Sequence, residues 1–580
     1  MSRIMKHILY GSLTGVMAVM MLSCMKTTAN NPIKGAFEYR EIYLPASSDT
    51  ETEELGLNSV DNDWGIWGHN LSNVLPEKPS EAVFARNDGA THRNQFCFSS
   101  QKLEDYIKDY INYSYGRNDS VYFAILPNDN DIVCLCSQCI RAGNTPTDAS
   151  PAVLRMIRKL CRRFPNHKFF TSYYATTRSV PDEKLPENAG VLVSAIGYPL
   201  NSRSTPQEGR FINTLNQWHN KTENVYVWDY INNFDDYFTP FPVFSVMQHR
   251  LREYRKAGVD GVFLNGSGTD FSTFSHLHRV VLAKMLINPD IDWREELRKT
   301  AKEYYPVAGE DIAEYIISQE DYAASTGKTL PLYEGVENSL KSHLQADKTR
   351  EFYARINEHL KKASGQERYE LEMMSDALAY TILELNRIEG KLNGTDVLLR
   401  KLENLPRKNI DYYNESLWPI AKYVGNYELL QKNYNETSET NLLRGVRLTS
   451  LTPLDEDYND ISILTDGILG TPSNYHNGNL ISSADPSLNI VIPRKPGMKK
   501  LTVWTVYNPA YRIGLPAEII MTVGGRKTTL VPKRPSRDTG HSQVDFKIPN
   551  VPGDIRLTFV KDPEVRSFAI DEIQAFATTD

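Results

Sequence analysis

The strongest constraint on the fold is a regular alternation of strand-like and helix-like segments between residues 37 and 270. Short apolar or aromatic runs are separated by amphipathic helical patterns, such as those at residues 101–114, 151–164 and 241–257. Strands that alternate with helices pair in parallel, and roughly seven or eight such units close into a barrel. The sequence therefore predicts a (β/α)8-like barrel over residues 37–310, with an open doubly wound sheet as the alternative. The predicted strands are 37–44, 64–68, 121–126, 168–175, 191–196, 225–230 and 261–264.

The rest of the chain changes character twice. Residues 311–438 are rich in Glu, Lys and Leu, and one apolar face recurs at helical spacing, which predicts a helical domain. That face consists of Leu371, Met374, Leu378, Ile382, Leu385 and Ile388. Residues 439–580 contain short β-rich runs separated by Pro, Gly, Asn and Asp, which predicts an antiparallel β-sandwich. Its predicted strands are 501–506, 518–523, 527–531, 554–559 and 567–576. The fold class is thus multidomain α/β plus all-β.

The first residues predict an export signal. A basic start precedes an apolar run at residues 8–22, which has the length of a signal-peptide core and is too short to cross a bilayer comfortably. The run ends in Leu22-Ser23-Cys24, which resembles the lipobox of bacterial lipoproteins and implies acylation of the Cys24 thiol. We expect a signal peptide over residues 1–24, a tether over 25–36, and an outer-membrane lipoprotein of a Gram-negative cell envelope, facing the periplasm or the surface. An ordinary signal peptide is the alternative.

Charge and composition narrow the choice of partner. The formal net charge is −7, and the chain has no long basic run, which argues against nucleic acid because phosphate neutralisation needs clustered Lys and Arg. The 32 Tyr and 7 Trp residues offer flat amphipathic faces of the kind on which sugars stack, although such rings also fill protein cores. We expect a carbohydrate partner. The sequence contains no nucleotide, flavin or haem motif, so no organic cofactor is predicted.

The cysteines leave two interpretations open. Besides Cys24 the chain has Cys161, expected in a helix core, and a group made of Cys97, Cys134, Cys136 and Cys139. An exported chain meets oxidising conditions, so we favour a disulfide or free thiols for this group. The alternative is a structural Zn²⁺, because four closely spaced thiolates suit tetrahedral coordination. No catalytic metal is predicted.

Two carboxylates follow the predicted strand at 121–126. In a parallel barrel the residues that act lie just after the carboxyl ends of the strands. Asp129 and Asp131 stand two residues apart, so in an extended chain their side chains would point the same way. Like-charge repulsion would then keep one of them protonated, as general acid catalysis requires. We predict Asp129 as the general acid and base and Asp131 as the second carboxylate, while a simple polar turn is the competing interpretation.

Other strand exits carry aromatic rings together with amide or carboxylate groups. Such a set stacks a pyranose ring and hydrogen-bonds its hydroxyls, provided that the exits converge at one mouth. Each residue taken singly could equally be a buried structural side chain. The predicted substrate-binding residues are Trp67, His69, Asn128, Tyr174, Tyr198, Trp228, Asp229, Tyr230 and Asn232.

Four segments of the predicted barrel carry a family resemblance. They are the run WGIWGHN at 64–70, the Pro127-Asn128-Asp129 block that leads into Cys134-x-Cys136-x-x-Cys139, the Trp228-x-Tyr230 exit followed by Pro240 and Pro242, and the Gly-Val-x-Gly-Val-Phe run at 258–263. Together they resemble the family catalogued as domain of unknown function 4838. The resemblance implies a glycoside-hydrolase-like barrel of exported bacterial lipoproteins, often found beside discoidin-like modules, with no assigned activity.

The same exits are more distantly similar to those of family 84 and family 20 hexosaminidases. That similarity implies that one aspartate orients an acetamido group and that its neighbour is the general acid and base. The two aspartates are adjacent in family 84, whereas here Asn130 separates Asp129 from Asp131. Many members of the unknown-function family look to have a Glu or Gln after the Gly-Val-Phe strand, where this chain has Asn265. An amide cannot donate a proton at neutral pH. If this position supplies the catalytic acid in other members, the resemblance implies that this chain is a binding protein.

The last region has a resemblance of its own. The runs Leu464-Thr465-Asp466-Gly467 and Ile570-Asp571-Glu572-Ile573 resemble the galactose-binding-like, discoidin-type β-sandwich family. The resemblance implies a jelly roll over residues 439–580 that often binds carbohydrate through loops at one end. The candidate sugar platform is Tyr475, Trp504, Tyr507 and Tyr511.

These observations predict an exported, lipid-anchored glycoside hydrolase that acts on complex glycans and is hexosaminidase-like. The main alternative is a non-catalytic carbohydrate-binding lipoprotein on a degenerate barrel, which keeps the aromatic exits and needs no acid pair. A scaffold or adhesion protein is the third interpretation.

Overall fold

The computed structural model describes residues 34–46, 48–116, 120–455, 458–472, 475–476, 478–536 and 539–578. The predicted signal peptide with Cys24, and nearly all of the predicted tether, lie outside the described residues. Every element named below belongs to the compact unit Gly35–Asp580. No helix in the described part of the chain has the combination of length and apolar character that a membrane crossing needs.

Strands and helices alternate through the first part of this unit, as the sequence predicts. Each predicted barrel strand has a counterpart, whereas the hairpin at residues 84–96 was not predicted because its exposed face is polar. The elements are β1 (Tyr39–Tyr43), α1 (Asp49–Glu54), α2 (Val60–Asp63), β2 (Trp64–Ile66), β3 (Phe84–Asn87), β4 (Ala90–Phe96), α3 (Gln101–Ser114), β5 (Tyr122–Ala124), α4 (Ser137–Ala142), α5 (Ser150–Arg163), β6 (Lys168–Tyr173), β7 (Ala189–Ser194), α6 (Pro206–His219), β8 (Asn224–Tyr230), α7 (Phe244–Lys256), β9 (Gly261–Asn265) and α8 (Ser275–Ile287).

Seven of these strands form one parallel sheet in the order β1-β9-β8-β7-β6-β5-β2. The order follows the chain except that the last strand, β9, pairs with the first, so the sheet curls back on itself and leaves β1 and β2 at its edges. A side-chain bond links the two edges, since Trp64 Nε1 donates to the Tyr39 hydroxyl at 3.0 Å. The mixed α/β class with a parallel sheet is confirmed. Closure into an eight-stranded barrel stays a prediction.

Aromatic side chains fill the inside of this curled sheet. Tyr39 of β1 stacks on Tyr226 of β8, with ring centroids 5.4 Å apart. Trp64, Phe170 and Phe263 pack around this pair as part of the same buried cluster. Many of the aromatic residues in the composition therefore serve as core and are not available to a ligand.

A helical region follows and packs against the sheet and its helices. Its longest helix contributes to two hydrophobic cores, with Leu371 and Leu378 in one and Ile382 and Leu385 in the other. The buried surface of this helix is therefore wider than the predicted apolar face. It includes the polar residue Glu384, whose carboxylate accepts a hydrogen bond from the Tyr423 hydroxyl at 2.8 Å. The helices are α9 (Trp293–Tyr304), α10 (Gly309–Thr326), α11 (Val336–Ser342), α12 (Ala346–His359), α13 (Gly365–Ile388), α14 (Asp396–Asn404) and α15 (Ile420–Thr437).

The last region consists of antiparallel sheets with one large apolar core and a second, smaller apolar cluster. The strands are β10 (Thr449–Ser450), β11 (Leu480–Ser482), β12 (Ser487–Ile492), β13 (Lys500–Tyr507), β14 (Ile513–Gly514), β15 (Glu518–Val523), β16 (Arg526–Leu530), β17 (Gly540–Lys547), β18 (Ile555–Val560) and β19 (Ser567–Phe576). One sheet has the order β10-β12-β18-β15-β16 and the other β11-β19-β13-β17, with β14 beside β19. Antiparallel sheets at this end are confirmed, and the jelly-roll topology stays a prediction.

The two motifs that suggested the sandwich family meet in the structure. The backbone N–H of Gly470 donates to Asp571 Oδ1 at 2.6 Å, and that of Gly467 donates to Glu572 Oε1 at 3.2 Å. Both carboxylates are fully buried. These acids therefore fasten the turn after Thr465 to β19, and their role is structural.

Candidate functional site

A cavity of about 200 Å³ opens at the carboxyl ends of the parallel strands. Parallel strands bring the residues that follow them to this edge of the sheet, which is where the sequence places its candidates. Residues from the helical region complete the wall. The lining is His69, Leu126, Asp129, Ser172, Tyr174, Leu192, Ser194, Ile196, Trp228, Tyr230, Asn265, Tyr333 and Glu415.

Asp129 and Asp131 do not share a face as an extended chain would require. The N–H of Asn130 donates to the Asn128 carbonyl at 2.8 Å, which makes a tight turn at this strand exit. Asp129 lines the cavity, where the Tyr174 hydroxyl donates to its Oδ1 at 3.0 Å. Asp131 is exposed and does not line the cavity. The predicted pair is therefore corrected: the structure brings only the first of the two to the site.

The hairpin of β3 and β4 holds the Asp129 turn in place. The buried Gln95 amide donates to the Asn128 carbonyl at 3.1 Å and to Asn130 Oδ1 at 3.0 Å, and its oxygen accepts from the Asn128 N–H at 3.0 Å. The Asn128 side chain donates to the Asn94 carbonyl at 2.8 Å. Asn128, predicted to bind substrate, thus directs its amide at the hairpin and does not line the cavity.

Glu415 is the second carboxyl group in the cavity, and the sequence did not reveal it. It lies in the connection between α14 and α15, far along the chain from the sheet. Its N–H donates to the Phe234 carbonyl at 2.9 Å, and the Phe234 N–H donates to the Leu332 carbonyl at 2.7 Å. The loop after β8 therefore brings Glu415 and Tyr333 to the cavity together. The sequence marks Glu415 by no more than a polar interruption between two helical patterns.

The surroundings of Glu415 favour its protonated form. Glu415 is an exposed residue at the mouth of the cavity, and the protein around its carboxyl group raises the pKa of that group to about 7. Burial is the largest cause, the negative charges of Asp235 and Asp129 add to it, and a hydrogen bond with Tyr333 opposes it. The lining residues of the cavity, all of them described, include no Lys or Arg that would stabilise the ionised form.

Tyr174 is the hydrogen-bond partner of the other carboxylate. Burial, followed by the charge of Asp129, raises the pKa of Tyr174 to about 12. The phenol therefore stays protonated at neutral pH and donates to Asp129. This hydrogen bond fixes the position of the Asp129 carboxyl group in the cavity.

One wall of the cavity is an indole face. Trp228 lines the cavity, and Trp67 stacks behind it with centroids 4.8 Å apart and planes 13° from parallel. Trp67 also packs on Phe263 at 4.5 Å. Trp67, predicted to bind substrate, supports the face that Trp228 presents and does not line the cavity itself.

His69 and Tyr230 add polar groups to the cavity. His69 Nδ1 lies 2.6 Å from the Pro127 carbonyl, which can only accept, so Nδ1 carries the proton and Nε2 of the neutral ring is an acceptor. The Tyr230 hydroxyl lies 3.1 Å from Ser194 Oγ. Burial raises the pKa of Tyr230, which keeps this hydroxyl neutral. Both residues line the cavity, as the sequence predicts.

Three predicted substrate-binding residues lie elsewhere. Asp229 follows Trp228 in the strand and so points to the opposite side of the sheet, where it is fully buried and accepts from Arg250 and from the Tyr254 hydroxyl. Tyr198 packs its ring under the Arg250 guanidinium, 3.9 Å from the ring centroid. Asn232 is buried outside the cavity lining. Alternation along β8 separates Asp229 from its aromatic neighbours, a signal already present in the sequence.

The four aromatic residues of the candidate sugar platform in the sandwich do not line one common cavity. Tyr475 and Tyr511 line one cavity of about 590 Å³, with ring centroids 4.7 Å apart. Trp504 is buried, and its indole N–H donates to Gln574 at 3.3 Å. Tyr507 does not line that cavity. The Tyr511 hydroxyl donates to Asp235 Oδ1 at 2.8 Å, so the sandwich contacts the acid whose charge helps to raise the pKa of Glu415.

The four clustered cysteines meet in space. The sulfurs of Cys97, Cys134, Cys136 and Cys139 all lie within 4.8 Å of one another. None of the described cysteines forms a disulfide, and Cys161 is buried in a helix as expected. The cluster lies beside the Asp129 turn and outside the lining of its cavity.

Fold and site together define an α/β protein with a ligand-sized cavity at the carboxyl edge of its parallel sheet. A family model described as Domain of unknown function (DUF4838) matches residues 27–317, about half of the chain, and the chain belongs to that family. The resemblance seen in the sequence is thereby confirmed. Comparison with curated proteins gave no match.

Solved structures give more distant similarities. A family GH115 4-O-methyl-α-glucuronidase with specificity for decorated arabinogalactans has a TM-score of 0.36 and 10% identity, over 83% of this chain and 67% of its own. A GH138 enzyme targeting pectin rhamnogalacturonan II has a TM-score of 0.30 and 9% identity, over 93% and 87%. The family 32 CBM from C. perfringens NanJ, in complex with galactose, has a TM-score of 0.16 and 12% identity, over 24% and 98%. With scores this low, none of them assigns a fold or a substrate to this chain.

Proposed function

We propose that this protein is an exported, lipid-anchored glycoside hydrolase that acts on complex glycans, with Glu415 as its general acid and Asp129 as its second carboxylate. The observation that carries the proposal is the meeting of these two carboxyl groups, from distant parts of the chain, in one cavity beside an indole face. Glycoside hydrolysis uses such a carboxyl pair on either side of the scissile bond.

The two groups suit complementary roles. Glycosidases need one carboxyl group that is protonated near neutral pH to donate to the leaving oxygen, and a second that is ionised. The raised pKa of Glu415, about 7, fits the first role. Asp129 lines the same cavity, accepts a hydrogen bond from the Tyr174 hydroxyl, and is assigned the second role.

The cavity suits a single sugar ring. At about 200 Å³ it is smaller than the roughly 300–1,000 Å³ typical of pockets for drug-sized ligands. A terminal sugar would stack on Trp228, with His69, Tyr230 and Asn265 as hydrogen-bonding partners for its hydroxyls, while the rest of the glycan stays outside. We propose an N-acetylhexosamine as that sugar from the similarity of the Trp228-Asp229-Tyr230 exit to family 84 enzymes, since the second aspartate of the Asp129 exit does not line the cavity.

The proposal includes the setting of the enzyme. The lipobox at residues 22–24 supports attachment through Cys24 to the outer membrane of a Gram-negative cell. The cyclic order of the parallel strands supports a barrel of the (β/α)8 type, and the sandwich motifs support a jelly roll behind it. Either face of the membrane would give access to carbohydrate.

One residue favours a second candidate function, a carbohydrate-binding lipoprotein without activity. Asn265 ends β9 and lines the cavity. Related sequences often look to have Glu or Gln at this position. If the family's acid belongs there, an amide would leave a binding site only. In the proposed enzyme, Glu415 replaces that acid.

The test is hydrolysis of a panel of aryl glycosides, including N-acetyl-β-glucosaminide and galactoside, and of complex glycans. The wild type should release a monosaccharide, and Asp129→Asn should lower kcat/KM by about 10²–10⁴-fold. Asp131→Asn is the matched control two residues away and should change the rate less than about twofold, because Asp131 is exposed outside the cavity. Turnover that survives Asp129→Asn unchanged would contradict the proposal. Glycan binding without product, undiminished by Asp129→Asn, would favour the second candidate.

A further inference from the structure

The four cysteines of the cluster come from two segments that flank the Asp129 turn. Cys97 follows β4 of the hairpin, while Cys134, Cys136 and Cys139 lie on the chain that leaves the turn and enters α4. Cys97 Sγ lies 3.7 Å from both Cys136 Sγ and Cys139 Sγ. All four sulfurs lie within 4.8 Å of one another, so they surround one point.

These separations fit metal coordination better than a covalent bond. A disulfide joins sulfurs at about 2.0 Å. Four sulfurs at about 2.3 Å from a tetrahedral Zn²⁺ are separated from one another by about 3.8 Å. The 3.7 Å distances from Cys97 to Cys136 and Cys139 match the second value.

The surroundings of the sulfurs also suit thiolates. The backbone N–H of Arg86 donates to Cys134 Sγ at 3.3 Å, and the Cys139 thiol donates to Ser99 Oγ at 3.2 Å, a hydroxyl that would donate to the sulfur once it is a thiolate. Groups that hydrogen-bond metal-bound sulfur in this way orient the ligands of metal sites. Cys97 is buried and Cys136 is only half-buried, which leaves an entry path for an ion.

We propose that Cys97, Cys134, Cys136 and Cys139 bind one structural Zn²⁺. The ion would join the hairpin to the chain that leaves the Asp129 turn, in addition to hydrogen bonds such as those of Gln95 and that of the Leu135 N–H, which donates to the Arg86 carbonyl at 2.7 Å. The four-sulfur shell is closed, so the ion has no open position for a substrate and acts on the site only by positioning. Metal binding stands independently of catalysis, whereas the positioning of Asp129 for hydrolysis rests on the proposed function.

The test begins with the metal content of the purified full chain. After incubation with ZnCl₂ and dialysis, mass spectrometry of the metals should find about one Zn²⁺ per chain, as expected for one closed site. Replacement of zinc by Co²⁺ should give the absorption of a tetrahedral thiolate site. Four free thiols without bound metal, or disulfides among the four cysteines in a non-reducing peptide map, would overturn the proposal.

Variants separate the cluster from general effects of losing a cysteine. Cys136→Ser changes the most exposed ligand and should release the metal, while Cys161→Ala, at a buried cysteine outside the cluster, should keep one Zn²⁺ per chain. If Cys136→Ser fails to fold, the wild-type metal content and the cobalt spectrum still decide the question. Equal zinc in Cys136→Ser and the wild type would overturn the assignment.

Kinetics test the positioning role separately. Removal of zinc should lower kcat several-fold and change KM little, because the cluster touches the Asp129 turn and does not line the cavity. A zinc-loaded chain that hydrolyses no glycan would leave the metal site intact and remove the proposed function. A hydrolase whose kcat is the same with and without zinc would overturn the positioning role.

Discussion

Two acids near the end of the same sheet, Asp229 and Glu415, differ in what surrounds them. Asp229 is fully buried and receives hydrogen bonds from Arg250 and Tyr254, so its charge is matched by a cation. Glu415 reaches the cavity among Asp129 and Asp235, and its partner is the neutral Tyr333. Asp229, whose charge is balanced by a cation, therefore has a structural role. Glu415, which lies near other acids and has no Lys or Arg among the described residues that line its cavity, keeps its proton near neutral pH and can donate it in a reaction.

Glu415→Gln tests the reactive side of this comparison and should have the largest effect. The amide keeps the shape of the side chain and cannot donate a proton, so kcat/KM should fall by about 10²–10⁴-fold. Thermal unfolding at pH 5 should be unchanged. Glu403→Gln, at an exposed glutamate on α14, is the control and should retain full activity. A Glu415→Gln enzyme with wild-type rates would break the comparison.

Asp229→Asn tests the structural side. Removing the charge leaves Arg250 buried without its counter-ion, so the free energy of unfolding should fall by about 3–5 kcal/mol in urea denaturation. Asp290→Asn is the matched control, because Asp290 pairs with two arginines at the surface and its loss should change the free energy of unfolding far less. Equal losses for the two variants would mean that burial of the pair does not matter.

Glu41 sharpens the comparison, because it is buried like Asp229 and receives its hydrogen bonds from Tyr39 and the Val60 N–H. Burial raises the pKa of Glu41 from 4.5 to about 8, so the folded protein holds a proton there that the unfolded chain releases. Its contribution to stability is complete below pH 4.5 and is lost as pH rises through about 8. Glu41→Gln should match the wild type at pH 5 and exceed its melting temperature at pH 9. A constant difference between the two would contradict this assignment.

Tyr174→Phe should have the smallest effect. It removes the hydrogen bond to Asp129 and keeps the ring in the cavity wall. A hydrogen bond of this kind contributes about 0.5–1.5 kcal/mol, so kcat/KM should fall by roughly 2–10-fold. The loss should disappear in an Asp129→Asn background, since the two residues act through one bond. Additive losses in the double variant would show that Tyr174 acts on something else.

The parallel strands could be predicted because each is a short apolar run that can be recognised from the local sequence alone. The Asp129 exit, His69, Trp228 and Tyr230 followed from reading the strand ends. The prediction that Asp131 lies beside Asp129 was wrong because the chain turns at Asn130 and is not extended there. The prediction that Asp229 binds substrate did not take into account that successive side chains of a strand point to opposite faces of the sheet.

Glu415 could not have been found in this way. Its place in the cavity depends on backbone bonds between the loop after β8 and two distant connections of the helical region. No local pattern encodes such contacts. The raised pKa of Glu415 likewise depends on Asp235 and Asp129, which are close only in the folded chain.

The most direct test is a pH titration of Glu415 itself, in which the ionisation of the carboxyl group is measured by infrared difference spectroscopy of the wild type against Glu415→Gln. The wild type should show a carboxyl group that ionises at about pH 7, and this signal should be absent from the variant. A difference spectrum in which Glu415 is already ionised at pH 5 would contradict this prediction.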